Sequence, residues 1–262
     1  MPVCTGRAGS GVKPRQGGFR WIRRANDGAV TKVFRVPPDY LAATRLCDCG
    51  DPWLRQTAEE IADGAISAEE KALKVFWYVR DHIRFGLAYS RSKASRTLKR
   101  GYGECGNKTN AQVAVLRALG VPARFRWAHA KTEILHHLVA GFVYENMPPV
   151  ASHFWCECNL DGRWVSCDSL LDKLLYEGML RRGLVTKEQL PTIDWDGKTD
   201  LVLLKPWITE DRGHLPSFDD AIRVLRAQEE GMPTLWLERI IAPVFYRFDL
   251  RNSDRMRKLV RS

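Results

Sequence analysis

The sequence predicts an α+β fold, with an antiparallel sheet between an N-terminal and a C-terminal group of helices. Helical periodicity comes first, strand alternation follows over about residues 123–169, and helical periodicity returns after residue 170. Within the strand region, Asp161-Gly162 separates two alternating patterns, which is a strong short-range signal for a β-hairpin. A composition of 45% apolar and 27% charged residues is typical of a globular chain.

The elements before the sheet are mostly helical. Residues 30–36 alternate as an edge strand does, and two prolines end the pattern. A first helix is predicted over residues 52–61 and a second over residues 67–83, where a capping box of Ser and Glu marks the start. Residues 86–103 are rich in Gly, Ser, Lys and Arg and are predicted to form a loop.

The predicted sheet follows a helix over about residues 107–119, which Gly120 and Pro122 terminate. Alternating or continuously apolar runs predict the strands, which lie at residues 123–129, 137–144, 153–160 and 163–169. After the sheet, further helices are predicted to begin at Ser217 and Thr234.

The positive charge of the chain lies at its two ends. The net charge is +10, residues 1–24 carry six basic and no acidic residues, and residues 251–262 carry five basic residues and one acidic residue. A nucleic-acid-binding domain carries its basic stripe on the folded body, so we expect no specific nucleic-acid partner.

The domain organisation follows from the charge and from the order of the elements. We expect a flexible basic N-terminal segment (1–24), a core (25–170), a helical extension packed on the core (171–250) and a basic tail (251–262).

The apolar stretches and the cysteine count indicate the cellular compartment. No stretch approaches the ~18 apolar residues of a membrane-spanning helix, so we expect no membrane span. Residues 1–24 also lack the apolar region of a secretory signal peptide. Seven cysteines, an odd number, fit reduced thiols better than a disulfide framework. We expect a cytoplasmic protein, and nothing in the sequence specifies its oligomeric state.

The hairpin places a histidine beside an aspartate. With a two-residue turn at Asp161-Gly162, Trp155 faces Asp168 on one side of the sheet. His153 lies two positions before Trp155 and therefore shares that side. His153 and Asp168 are then diagonal neighbours, roughly 7–8 Å apart at the backbone and within side-chain reach. Such a pair can act as a general base and the carboxylate that orients it.

The cysteines other than Cys105 do not form a metal-binding pattern. Cys47 and Cys49, like Cys156 and Cys158, are C-x-C pairs rather than the C-x2-C knuckles typical of zinc sites. Cys167 faces Cys156 across the hairpin, on the side of the sheet away from His153, and both are interpreted as apolar packing residues. We expect neither a metal nor a cofactor.

Cys105 is the candidate nucleophile. It follows the loop Gly101-Tyr-Gly103 and stands at the start of the helix over residues 107–119. Free helix amides and the positive end of the helix dipole predict a lowered thiol pKa there. The same amides could receive an oxyanion. The chain order Cys105, His153, Asp168 fits a thiol-based triad.

Four motifs, taken in order, resemble the transglutaminase-like superfamily. They are Gly101-Tyr-Gly-Glu-Cys105, Leu116-Arg-Ala-Leu-Gly-Val-Pro-Ala-Arg124, His153-Phe-Trp155-Cys-Glu157 and Gly162-Arg-Trp-Val-Ser-Cys-Asp168. The stretch from Lys71 to Phe85 is similar as well, so the resemblance covers about residues 65–170. It implies a papain-like α+β core whose sheet packs against the nucleophile-bearing helix. It also implies Cys105 as nucleophile, His153 as base and Asp168 as the residue that orients the base.

The flanking residues are less well specified by the resemblance. Ser169 and Leu170 follow the aspartate, where the family often has Pro and then Thr or Ser. Trp155 is interpreted either as a core residue or as a wall of the site. Tyr102 and Gly106 are further candidates for substrate binding.

Two functions of different classes fit these residues. The leading hypothesis is a cysteine-dependent acyl-transfer enzyme that forms a thioester with a peptide or a small acyl substrate. With water as acceptor it is a peptidase or amidase, and with an amine it is an amide-forming acyltransferase; the sequence leaves both open. The alternative is a non-catalytic binding module that retains the fold. The presence of all three triad residues favours the enzyme.

The region after the motifs is too long to be a tail. Apolar residues at helical spacing, such as Ile222 and Leu225, predict that it packs on the core. Trp207 and His214 are candidates for lining the acceptor side of the cleft. The alternative, which the sequence leaves open, is that the region only supports the fold.

Overall fold

The computed structural model describes residues 40–136, 138–139, 141–145, 147–228 and 253–260. All of these fall in one compact unit, Arg35–Ser262. The predicted edge strand at residues 30–36, the basic segment 1–24 and the helix predicted from Thr234 lie outside the described residues.

Helices dominate the chain before the sheet. In order, the elements are α1 (Pro52–Ile61), α2 (Ala68–His82), β1 (Arg84–Phe85), α3 (Ala94–Arg100), β2 (Tyr102–Gly103) and α4 (Cys105–Ala118). The predicted capping box begins α2, with Ser67 accepting from the Glu70 amide and Glu70 accepting from the Ser67 amide. The prediction of a loop over residues 86–103 is wrong in part, because α3 lies within it.

The sheet has four antiparallel strands in the order β5-β4-β3-β6. They are β3 (Ala123–Lys131), β4 (Val150–Leu160), β5 (Arg163–Cys167) and β6 (Ile208–Leu215). The hairpin between β4 and β5 has the predicted register, with Leu160 facing Arg163. Asp161 and Gly162 both have positive φ, 51° and 87°, as a two-residue hairpin turn requires.

One predicted strand is helical in the structure. The segment between β3 and β4 contains a 3-10 turn (Thr132–Leu135) and one turn of helix, α5 (Gly141–Tyr144), instead of the strand predicted over residues 137–144. The error has a plain physical cause, because periodicity does not separate a short apolar run in a strand from one in a buried helical turn.

The C-terminal region is not purely helical, which corrects the prediction for residues 171–250. It contains α6 (Lys173–Arg181), a 3-10 turn (Lys205–Trp207) and α7 (Phe218–Gln228), but also β6, which pairs with β3 at the edge of the sheet. Strand β6 is largely exposed and rich in polar residues, so its sequence has no apolar alternation.

The last described helix corrects the prediction of a basic tail. Residues 253–260 form a helix, α8. Arg257 in this helix is buried and donates to both carboxylate oxygens of Asp172, which also caps α6 by accepting from the Leu175 amide. The backbone of Met256 approaches Gly178 so closely that a Cβ at Gly178 would lie within 2.6 Å of the Met256 carbonyl carbon. This part of the basic end is therefore docked on α6.

Helix α4 is the centre of the molecule. Its residues from Gly106 to Arg117 are buried on all sides, between the sheet and the helices α1, α2 and α3. One apolar cluster surrounds α4 and a second surrounds α6, and Cys105 packs against both. None of the described helices combines the length and the apolar character needed to cross a bilayer.

Candidate active site

The N-terminus of α4 is capped by the residue that precedes the cysteine. Glu104 accepts from the Gly106 amide at 2.6 Å and from the Asn107 amide at 2.9 Å. The sequence predicted that the first backbone amides of α4 would be free. This prediction is wrong for the amides of Gly106 and Asn107. A carboxylate now faces the positive end of the helix dipole, where it stabilises the helix and competes with any other anion.

The Cys105 thiol lies against the same carboxylate. Its Sγ is 3.4 Å from Glu104 Oε2 and 3.9 Å from the carbonyl oxygen of Ser152, so its single proton has two acceptors within reach, the carboxylate being the nearer. Burial, and then the negative charge of Glu104, raises the pKa of Cys105 well above its usual value. Burial likewise raises the pKa of the Glu104 carboxyl. The predicted lowering of the Cys105 pKa is therefore wrong for this structure.

His153 and Asp168 form a buried hydrogen-bonded pair. His153 lies on β4 and Asp168 directly follows β5, and His153 Nε2 is 2.9 Å from Asp168 Oδ2. Only 3% of His153 and 2% of Asp168 are exposed. Because Nε2 is held by the carboxylate, Nδ1 is the ring nitrogen that can exchange a proton with another group.

Backbone amides fix the aspartate. Oδ1 of Asp168 accepts from the Leu170 amide at 3.1 Å, and Oδ2 accepts from the Leu203 amide at 3.0 Å as well as from the imidazole. The Asp168 amide in turn donates to the Leu201 carbonyl at 3.0 Å. The segment after the family motifs therefore supplies groups that orient Asp168.

Trp155 lies behind the histidine. Its ring stacks on the His153 ring, with centroids 5.6 Å apart and planes inclined by 24°. Its Nε1 donates to Ser166 Oγ at 3.1 Å. Trp155 is buried and packs on the face of the imidazole, so it supports the His153–Asp168 pair.

Cys105 and His153 line the same cavity, which has a volume of about 180 Å³. Besides these two, the polar residues Glu104, Lys131, Thr132 and Ser152 line it, and most of the lining surface is apolar. The structure therefore brings the predicted nucleophile and the predicted base to one cavity, with Asp168 hydrogen-bonded to the base.

The other predicted site residues lie elsewhere in the structure. The guanidinium of Arg100 stacks over the Tyr102 ring, 4.9 Å from its centroid. A Cβ at Gly106 would lie 2.8 Å from Cε2 of Phe218, so this glycine permits a close approach of α7. Trp207 is buried in the second cluster and His214 lies on β6. None of these four predicted residues is among those that line the cavity.

Two contributors to the site were missed by sequence reasoning. Glu104 stands next to the cysteine, and an acidic residue directly before a predicted helix was a usable signal for a cap. Leu203 had no such signal, since it acts through its backbone amide.

The cysteines outside the cavity are free thiols in the described part of the chain. Cys156 pairs with Cys167 in the register of the hairpin, as predicted, and Cys167 Sγ lies 3.9 Å from Cys158 Sγ. Among the described residues, no group of three or more His, Cys, Asp or Glu side chains is arranged to hold a metal ion.

A helix that begins at a cysteine and packs on an antiparallel sheet with a His–Asp pair defines the papain-like α+β class. Residues 55–169 match the model of the transglutaminase-like superfamily, which confirms the resemblance stated from the sequence. No curated protein sequence matches the chain.

Two solved structures from bacteria show partial likeness to the chain. A candidate cysteine protease from Cytophaga hutchinsonii is 20% identical, with a TM-score of 0.42, over 53% of this chain and 45% of that protein. A candidate protease from Parabacteroides distasonis is 11% identical, with a TM-score of 0.32, over 44% of this chain and 22% of that protein. The chain therefore spans less than half the length of either protein.

Proposed function

We propose that the protein is a cysteine-dependent acyl-transfer enzyme of the cytoplasm, with Cys105 as nucleophile, His153 as base and Asp168 as the residue that orients the base. One observation carries the proposal. The buried hydrogen bond of 2.9 Å between His153 and Asp168 stands beside a cavity that Cys105 also lines. A histidine fixed by a carboxylate next to a thiol is the arrangement that activates a thiol nucleophile.

The reaction follows from these positions. His153 Nδ1 takes the proton of Cys105 as Sγ bonds to the acyl carbon of an amide. The amide C–N bond then breaks, His153 gives its proton to the departing amine, and a thioester remains. Water or a second amine attacks the thioester and restores the thiol. Asp168 holds Nε2 throughout and stabilises the imidazolium that forms.

The acceptor decides between a peptidase or amidase and an amide-forming acyltransferase. The cavity is lined largely by apolar side chains, which offer few hydrogen-bonding partners to a water molecule beside the thioester. This observation favours transfer to an amine, although hydrolysis uses the same residues.

The contact between Cys105 and Glu104 favours a second candidate function. A thiol that donates to a carboxylate and has a raised pKa is what a non-catalytic binding module with this fold would contain.

The experiment that separates the two functions is the trapping of an acyl-enzyme. The protein is incubated with a panel of peptide amides and activated esters, quenched in acid, and measured by intact mass, with the Cys105→Ala variant as control. An adduct of acyl mass on the wild-type protein alone supports the enzyme. No adduct with any substrate, together with a Cys105 that iodoacetamide does not alkylate at pH 9, supports the binding module.

A further inference from the structure

The cavity beside Cys105 has a composition that selects among substrates. Its apolar walls come from three separate parts of the chain: β1, the segment between β3 and β4, and the region after Asp168. The side chains that form these walls include Phe85, Leu135, Val139, Met147, Leu170 and Leu204. Most of them also belong to the second apolar cluster or pack against it, so the walls are continuous with packed protein.

The volume fits one side chain of medium size. Apolar cavities of about 150 Å³ in proteins stay dry and bind a molecule as large as benzene. At about 180 Å³ this cavity accommodates a leucine, methionine or phenylalanine side chain but not two of them.

The two charged side chains in the lining are poor partners for a charged group on the substrate. The Glu104 carboxylate already accepts from two backbone amides and lies against the Cys105 thiol. Lys131 also lines the cavity, but it is exposed, at the point where β3 ends, and its charge is solvated. A charged group on the substrate would lose its hydration among apolar walls and gain only these weak partners, which is unfavourable.

In the proposed reaction, the acyl part of the substrate stays in the cavity longer than the departing amine does. Once the thioester forms, the acyl carbon is bonded to Cys105 Sγ, and the group attached to that carbon stays next to the residues that surround the sulfur. These residues are the ones that line the cavity.

We propose that the cavity binds an uncharged apolar group of leucine to phenylalanine size on the acyl side of the bond that is cleaved. The acyl donors of the enzyme are then peptides or amides with such a residue at the reacting carbonyl. This inference rests on the proposed function and adds the substrate class to it.

Chloromethyl ketones test the proposal without a known substrate. N-acetyl derivatives of leucine, alanine, aspartate and lysine chloromethyl ketone present the side chain on the acyl side, and alkylation of Sγ releases chloride. The rate of labelling at pH 9 is followed by intact mass, and the site is mapped by peptide mass. We expect the leucyl probe to label Cys105 at least about tenfold faster than the alanyl probe, and the two charged probes to be slower still.

A pair of variants tests whether the cavity causes the preference. Ala151 lines the cavity, and its neighbour Val150 is 38% exposed and is not part of the lining. Ala151→Phe fills the space, so we expect the preference for the leucyl probe to fall to about twofold or less. Val150→Phe adds the same ring outside the cavity and should keep the preference of the wild-type protein.

The outcomes separate this inference from the proposed function. Equal labelling by the four probes, a preference for a charged probe, or an Ala151→Phe variant that keeps the leucyl preference overturns the cavity assignment alone. A Cys105 that no probe labels, iodoacetamide included, overturns the proposed function and the assignment with it.

Discussion

The two halves of the candidate site are built in opposite ways. On the base side, the Asp168 carboxylate has three donors, namely the His153 ring and the amides of Leu170 and Leu203, and Trp155 packs on the imidazole. On the nucleophile side, the Cys105 thiol donates to the Glu104 carboxylate, and burial and that charge oppose its ionisation.

For the proposed reaction, this difference indicates which half has to change. His153 is already oriented in the structure, because Asp168 is buried and held by two backbone amides. The thiol is held in its protonated form, so its proton has to move from the neighbourhood of Glu104 to His153 as the substrate binds. The first three predictions below test the two halves separately, and the last two concern the buried Lys108 of α4. They run from the largest expected effect on turnover to the smallest.

The largest effect is expected from removal of the nucleophile. Cys105→Ala should reduce turnover by about 10⁵–10⁶-fold, since the covalent route is lost. The fold should persist, because the change removes a single atom from a half-buried position. Turnover of a peptide amide and the thermal melting temperature are the measurements. Cys49→Ala, a buried cysteine outside the cavity, is the matched control and should keep its turnover. A Cys105→Ala enzyme with more than about a tenth of wild-type turnover would refute the assignment.

Asp168→Asn tests the base side. Asparagine has one acceptor oxygen where the carboxylate has two, so either the imidazole or a backbone amide loses its acceptor. We expect kcat to fall by about 10²–10⁴-fold with little change in KM, because the wrong tautomer of His153 is favoured.

The control for this change is Asp200→Asn. Asp200 accepts from the Ser166 amide on the neighbouring strand and does not contact the histidine, so it reports the structural cost of such a replacement. A normal kcat with a raised KM in Asp168→Asn would contradict the role of Asp168.

Glu104→Gln tests the nucleophile side. The negative charge of Glu104 raises the pKa of the Cys105 thiol, so its removal lowers that pKa. The thiolate then forms at lower pH, and we expect the pH profile of Cys105 alkylation by iodoacetamide to move to lower pH. The profile is measured between pH 6 and pH 10, with Glu69→Gln on α2 as control. A profile that moves up, or does not move, would show that Glu104 does not oppose ionisation.

The smallest effect on catalysis is expected from Lys108→Met, although the effect on stability is large. Lys108 is 1% exposed, and its Nζ donates to the carbonyls of Val79, Arg80 and Ile83 at the end of α2. Loss of these bonds should lower the free energy of unfolding by about 2 kcal/mol, because buried carbonyls are left without a donor. Urea unfolding of the variant is compared with that of Lys173→Met, an exposed lysine.

The same lysine gives a pH dependence of known sign. Burial lowers the pKa of Lys108 to about 7 in the folded protein, whereas an unfolded lysine titrates near pH 10.4. Between these values the unfolded chain binds more protons, so the stability of the wild-type protein should rise with pH from about 7 to about 10. Lys108→Met should lack this rise. A wild-type stability that falls over this range would indicate that Lys108 remains charged.

The hairpin shows what local sequence can specify. Asp161-Gly162 fixes a two-residue turn, the turn fixes the register, and the register places His153 and Asp168 on one side of the sheet. The helices with strong caps were predicted for the same reason, since Ser67 and Glu70 act within one turn.

The errors arise where distant parts of the chain determine the outcome. Strand β6 has polar residues on both faces and forms because the edge of β3 needs a partner. The amide of Leu203 reaches Asp168 through tertiary packing, which no spacing rule records. The ionisation of Cys105 depends on which way the Glu104 side chain turns, and the helix start alone predicted the opposite sign.

The amide of Leu203 has a consequence for the order of events during synthesis. It reaches Asp168 from 35 residues further along the chain. At a translation rate of about 5–20 residues per second, a nascent chain that already contains Cys105, His153 and Asp168 waits about 2–7 s before residue 203 is made. During this interval the aspartate lacks one of its donors, so a growing polypeptide cannot complete the arrangement of His153 and Asp168. The proposed activity would first appear late in translation, when much of the protein around Cys105 is present.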